Sequence, residues 1–229
     1  MEIFLHRICG KTAEPPVPML LRRCTAEEAP AVYALQNEVR AAMPHPEQFV
    51  PDTLENITTY VRKDLCIGAW QGSRLGGYLI VRFCGQSEHN YAAFMDVPRT
   101  EWEHWANADS AIVHADFRGN GLQRLMLEAA LPLFPGRITH IGATVSPENQ
   151  YSLNNALASG FAIVSRREMY GGYDRYLLKK RLVKNRAASP NGCSPVLQSM
   201  DSLSLFFILC RTTSRQARCT AAVSTQLMG

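Results

Sequence analysis

Residues 110–133 hold a strand, a glycine turn and a helix in immediate succession, and this junction narrows the open folds more than any other segment. Ser110-Ala-Ile-Val-His-Ala115 reads as a strand and Arg118-Gly-Asn-Gly121 as the turn. Gln123 to Leu133 reads as a helix with Leu122, Leu125, Met126 and Ala129 on one face. A helix N-terminus offers free backbone N–H groups and the positive end of the helix dipole, and glycines let the main chain approach an anion at positive φ. The junction reads as a phosphate cradle, with a plain tight turn as the alternative. It is not a P-loop, because no Lys-Ser or Lys-Thr follows, and it lacks the third glycine of a dinucleotide fingerprint.

The same alternation fills residues 19–182. Met19 opens a first strand, Leu20-Leu21-Arg22-Arg23. Thr25-Ala-Glu-Glu28 is a capping box that starts a helix through Ala31, Leu35, Val39 and Ala42 to a stop at Pro44. Asp52-Thr-Leu-Glu55 opens a second helix, through Ile57 and Val61. Cys66–Trp70, a Gln-Gly-Ser-Arg turn and Leu75–Cys84 form a hairpin, and residues 85–107 read as a long polar loop. Ile138–Val145 is a strand, Ser146-Pro-Glu-Asn149 caps a helix over Gln150–Ala158, and Gly160–Val164 and Arg175–Leu182 finish as strands. The order β-α-α-β-β-β-α-β-α-β-β predicts a mixed α/β chain around one central sheet.

The flanks differ in texture. Residues 1–18, with Pro15, Pro16 and Pro18, are expected to be a loose N-terminal extension. Residues 183–229 are expected to be a loosely ordered, Ser/Thr-rich tail. That tail carries five basic residues against Asp201 alone and so holds the whole net charge of +4. A neutral body argues against a nucleic-acid partner. Seven scattered cysteines without zinc spacing point to reduced thiols in the cytoplasm and to no metal site. No apolar run reaches the ~20 residues that span a bilayer, so no membrane partner is expected.

Two segments carry a family resemblance. Val113-His-Ala-Asp-Phe-Arg-Gly-Asn-Gly-Leu-Gln123 resembles motif A of the GCN5-related N-acetyltransferase (GNAT) superfamily, Arg/Gln-x-x-Gly-x-Gly/Ala. Thr144-Val-Ser-Pro-Glu-Asn149, Ser152 and Gly160-Phe161 resemble its motif B, Asn-x-x-Ser/Ala with Gly-Phe closing the helix. The resemblance covers residues 19–182 and implies the GNAT fold: a mixed, mostly antiparallel sheet, flanked by helices, with two splayed parallel strands. It implies acetyl-CoA as acyl donor. The diphosphate would lie on amides of Arg118, Gly119, Asn120, Gly121, Leu122 and Gln123, with the pantetheine along the backbone of Ile112, Val113 and His114. Asn149 and Ser152 would add polar contacts, although Asn149 also reads as a helix cap. Gln123 departs from the usual Gly or Ala.

Ala156 stands where many members carry the tyrosine that protonates the leaving thiolate. Tyr151, Tyr170 and Tyr173 are the stand-ins, Tyr173 preferred. For the base, the residues offer His114, or Glu101, Glu103, His104 and Asp109 just before the strand; His114 and Glu103 are taken forward. Trp102 and Trp105 either line an acceptor pocket or pack in the core. The resemblance implies N-acetyl transfer to a primary amine, expected on a small molecule, by a monomer or homodimer. A non-catalytic acyl-CoA sensor and a protein N-terminal or lysine acetyltransferase are the alternatives.

Overall fold

The computed structural model describes residues 1–46 and 49–183; the tail from 184 onward lies outside the described residues. Eight strands form one sheet. They are β1 (Glu2–Ile8), β2 (Lys11–Arg23), β3 (Leu65–Gln71), β4 (Arg74–Arg82), β5 (Trp105–Val113), β6 (His140–Val145), β7 (Ala162–Met169) and β8 (Tyr173–Arg181). Four helices flank them: α1 (Ala29–Ala41), α2 (Leu54–Lys63), α3 (Leu122–Ala130) and α4 (Gln150–Ala158). The spatial order is β1-β2-β3-β4-β5-β6-β8-β7. Every neighbouring pair is antiparallel except β5 and β6, which run parallel. The expected fold class, a mixed and mostly antiparallel sheet with one parallel pair, is what the chain forms.

The sheet is covered on both faces, which is why β3 and β4 read as nearly unbroken apolar runs. On one side Leu5, Met19, Leu21, Phe117, Leu122, Met126 and Leu178 pack together under α3. On the other, Val32, Leu35, Ile57 and Val61 of α1 and α2 bury Tyr78, Ile80 and Ile112. The second helix is capped by Thr53, whose hydroxyl accepts from Asn56 N at 3.1 Å. Phe117 is fully buried and leaves no room beside β4: a Cβ built on Gly76 would sit 2.5 Å from its ring. Gly76→Ala is therefore expected to lower stability by about 1–3 kcal/mol, read as a fall in denaturant midpoint at constant slope.

Residues 1–18 are not a loose arm. Glu2–Leu5 pair with Val17–Leu20, and after a bulge Arg7 and Ile8 pair with Thr12 and Lys11. The prolines are accommodated because β3 pairs only with Leu20–Arg23 of β2. Residues 11–18 thus bond on one side alone, and a missing N–H on the open side costs nothing. The second difference is at β5, which begins at Trp105 inside the expected 85–107 loop. That segment also holds two 3₁₀ turns, Tyr91–Met95 and Arg99–His104. They pack Tyr91, Met95 and Trp102 on Trp105 and Leu177 in a third apolar cluster.

Candidate functional site

The parallel ladder between β5 and β6 is short. It joins Trp105–Ala108 to His140–Ala143 and then stops. From there β5 follows β4 to Val113 while β6 follows β8, so the two strands part into a wedge. At the parting point Asp109 is a bulged residue, since Ile80 faces Ser110 and Val81 faces Ala108.

Backbone polarity inside the wedge follows from the antiparallel pattern. His114 N donates to Gly76 O at 2.9 Å, so His114 and, by alternation, Ile112 spend their main-chain groups on β4. Ala111 and Val113 are the ones that face the gap. Of the three residues expected to offer their backbone, Val113 faces the gap, Ile112 and His114 turn to β4, and Ala111, not among the three, faces the gap as well. The two wedge-facing carbonyls are held by long side chains of the turn. Gln123 Nε2 donates to Ala111 O and Arg118 Nε to Val113 O, each at 3.3 Å, long bonds on exposed groups. Gln123 Oε1 also accepts from Asn155 Nδ2 of α4 at 3.0 Å, so this side chain spans the mouth of the wedge.

The glycine turn lies at the open end. Gly119 (φ 82°) and Gly121 (φ 69°) both take the left-handed conformation, and nothing lies within 4 Å of a Cβ placed on Gly121. Arg118 N is tied to Ala115 O at 3.3 Å. Among the described residues, the amides of Gly119, Asn120, Gly121, Leu122 and Gln123 donate to no protein acceptor. These five unpaired donors at the start of α3 fit an anionic diphosphate. The unpaired amides therefore run over 119–123, not 118–123. Asn120 contributes its amide only, because its side chain is bonded to β1. Asn149 Oδ1 caps α4 by accepting from Ser152 N at 3.0 Å.

Where the strands part, a polar chain runs outward from the buried Tyr91 to the half-exposed Tyr170. Tyr91 Oη donates to Asp109 Oδ1 at 3.4 Å and lies 2.9 Å from Tyr170 Oη, which lies 3.1 Å from Thr144 Oγ1 of β6. Arg82 reaches Asp109 at 3.6 Å and stacks over Tyr60. Burial, only partly offset by Arg82, pushes the Asp109 carboxyl up to about 6. Burial also raises Tyr91 and Tyr170, so both phenols keep their protons at neutral pH. Asp52, raised by burial as well, hydrogen-bonds Tyr60 next to this chain. Tyr91 is held in place by Asn107, whose Oδ1 accepts from Tyr91 N at 3.0 Å and whose Nδ2 donates to His89 O at 2.8 Å.

The expected catalytic trio is not assembled. Glu103 is exposed in the 3₁₀ turn before β5, beyond the closed end of the ladder. His114 is a clamp: Nδ1 accepts from Asp116 N at 3.1 Å and Nε2 meets Glu38 of α1 at 2.9 Å, so both nitrogens are engaged. Tyr173 pairs with Met169 in the β7–β8 hairpin, with Arg175 over its ring. Tyr151 is 88% exposed. Trp102 and Trp105 are buried in the third cluster, the latter stacked on His140. Of the residues weighed, Asp109 and Tyr170 reach the wedge. Tyr91, Thr144 and Arg82 were missed; no local signal marks Tyr91 or Arg82, whereas Thr144 lies inside the motif B segment.

No family model matches the chain, and no curated protein is similar to it in sequence. Solved structures are similar in fold. A GNAT-family acetyltransferase from Streptococcus pneumoniae aligns at 18% identity and TM-score 0.55, covering 72% of this chain and 99% of that one. A Salmonella typhimurium structure described as an acetyltransferase with its cofactor acetyl-CoA aligns at 13% identity and TM-score 0.55, covering 76% and 99%. A ribosomal-protein-alanine N-acetyltransferase from Brucella melitensis aligns at 18% identity and TM-score 0.54, covering 71% and 99%. The fold is that of the GNAT acetyltransferases.

Proposed function

We propose that the chain is an acetyl-CoA-dependent N-acetyltransferase that modifies a primary amine by direct attack in a ternary complex. The observation that carries this reading is the wedge between β5 and β6 opening beside five unpaired amides. Acetyl-CoA would supply an activated acetyl thioester. The amides of 119–123 would bind its diphosphate, and the main chain of Ala111 and Val113 would align the arm once Gln123 and Arg118 release their carbonyls. Asn149 and Ser152 are proposed to add contacts from α4. Asp109, at the bulge, takes the proton that the amine loses. Tyr170 supplies a proton to the leaving sulfur and is held for this by Tyr91 and Thr144. This arrangement favours a catalyst over a sensor, because Tyr170 fills the role left open at Ala156.

The acceptor is proposed to be a small cationic amine. What supports a small amine is the grouping of the Tyr60, Tyr91 and Tyr170 rings with Asp52 and Asp109, whose charges when ionised are matched by Arg82 and by Arg175 over the Tyr170 ring. The test is a panel of small amines and peptides: activity confined to peptide N-termini or lysines overturns the small-molecule acceptor.

A pH profile checks Asp109. The base must be ionised, so kcat/KM is expected to rise through about pH 6 and to lose that limb in Asp109→Asn. Stability runs the other way. The folded carboxyl binds its proton more tightly than the unfolded one, whose pKa is about 3.9, so its contribution is present below pH ~4 and lost as pH rises through about 6. At pH 8 Asp109→Asn is expected to be more stable than the parent by on the order of 2 kcal/mol, seen as a higher Tm. A lower Tm would assign Asp109 a structural role.

A further inference from the structure

We infer that the N-terminal hairpin completes the phosphate site, with Arg7 as a ligand for a phosphate group of the acyl donor; this rests on the function proposed above.

The hairpin grips the glycine turn at both ends. The β1–β2 register shifts between Leu5 and Arg7, which turns two successive amides out of the ladder. His6 N and Arg7 N both donate to Asn120 Oδ1 at 3.1 Å, and Asn120 Nδ2 returns a bond to Arg7 O at 2.8 Å. Cys9 N donates to Asp116 O at 2.8 Å. Asn120 is thus the residue that docks β1 on the cradle. The hairpin brings the Arg7 side chain against Gly119: a Cβ on Gly119 would lie 3.6 Å from Arg7 Cδ and 3.9 Å from Nε.

Charge makes this placement chemical rather than merely steric. The Arg7 guanidinium makes one hydrogen bond, from Nη2 to Gly10 O at 3.0 Å, and among the described residues no carboxylate pairs with it. The nearby acid, Asp116, is taken by Arg74 at 2.6 Å. An exposed guanidinium held by a single carbonyl, beside five unpaired amides, is free to exchange that carbonyl for a phosphate, which it can bind in a bidentate fashion. The acyl donor has two such sources, the diphosphate and the 3′-phosphate on its ribose.

The experiment measures calorimetric affinity for acetyl-CoA and for its 3′-dephospho analogue, using the full chain, Arg7→Gln and Gly121→Asp. Arg7→Gln should leave the unliganded Tm unchanged, since the anchoring bonds are main-chain, and should weaken acetyl-CoA about ten- to a hundredfold. If that loss disappears with the dephospho analogue, Arg7 holds the 3′-phosphate; if it persists, Arg7 holds the diphosphate. Affinity of Arg7→Gln within twofold of the parent overturns this inference alone, provided that the parent binds and Gly121→Asp does not. A parent that fails to bind acetyl-CoA overturns both this inference and the transferase reading.

Discussion

Gly121→Asp is expected to abolish acetyl-CoA binding at concentrations that saturate the parent. The parent at a hundredfold excess over Kd should gain about 2.7 kcal/mol, a Tm rise of roughly 5–11 °C for a chain of this size. The substitution acts in two ways. Gly121 holds φ 69° with open space around it, so a side chain fits but strains the backbone by about 1 kcal/mol. The larger effect is charge: a carboxylate next to the 119–123 amides competes for those donors and repels the diphosphate. At a few ångströms and an intermediate dielectric, that repulsion is on the order of 2–4 kcal/mol, a loss of roughly thirty- to several hundredfold. Gly121→Ala separates the effects, since it keeps the strain and omits the charge, and it should bind within about tenfold. Equal thermal shifts for the parent and Gly121→Asp would place the phosphate elsewhere.

Tyr170→Phe is expected to lower kcat by about 10²-fold or more, with little change in KM for acetyl-CoA. The ring stays, so packing is retained; only the hydroxyl between Tyr91 and Thr144 is removed. Losing a proton donor from the transition state lowers kcat selectively, because the ground state makes no use of the transfer. Tyr173→Phe serves as the control and should retain near-parent turnover, its side chain lying in the β7–β8 hairpin under Arg175. Reversal of these two results would return the acid role to Tyr173 and break the chain from Asp109 to Thr144.

The residues that sequence reasoning placed well are those whose partners are close in the chain. The α3 junction needs only a strand, two glycines and an amphipathic run. Asn149 caps α4 through a bond to Ser152, three residues on. The residues it placed poorly depend on distant partners. Asn107 and Asp109 look like loop residues, yet they lie within β5 because Tyr91, His89 and Arg82 satisfy them there. β1 was overlooked because the prolines of β2 argue against a strand, and only the sheet order shows their open side.

Local hydrogen bonding and the apolar periods of helix and strand are written into short stretches, and from them the chain's mixed sheet, its glycine turn and the order of its elements could be read directly. Where the strands part, which carbonyls face the gap, and which tyrosine meets the buried aspartate were settled by packing alone. Each of these joins groups tens of residues apart, as Tyr170 joins Tyr91 across 79 positions. No local pattern encodes such a pairing; it forms when the sheet closes and burial makes an unpartnered polar group costly.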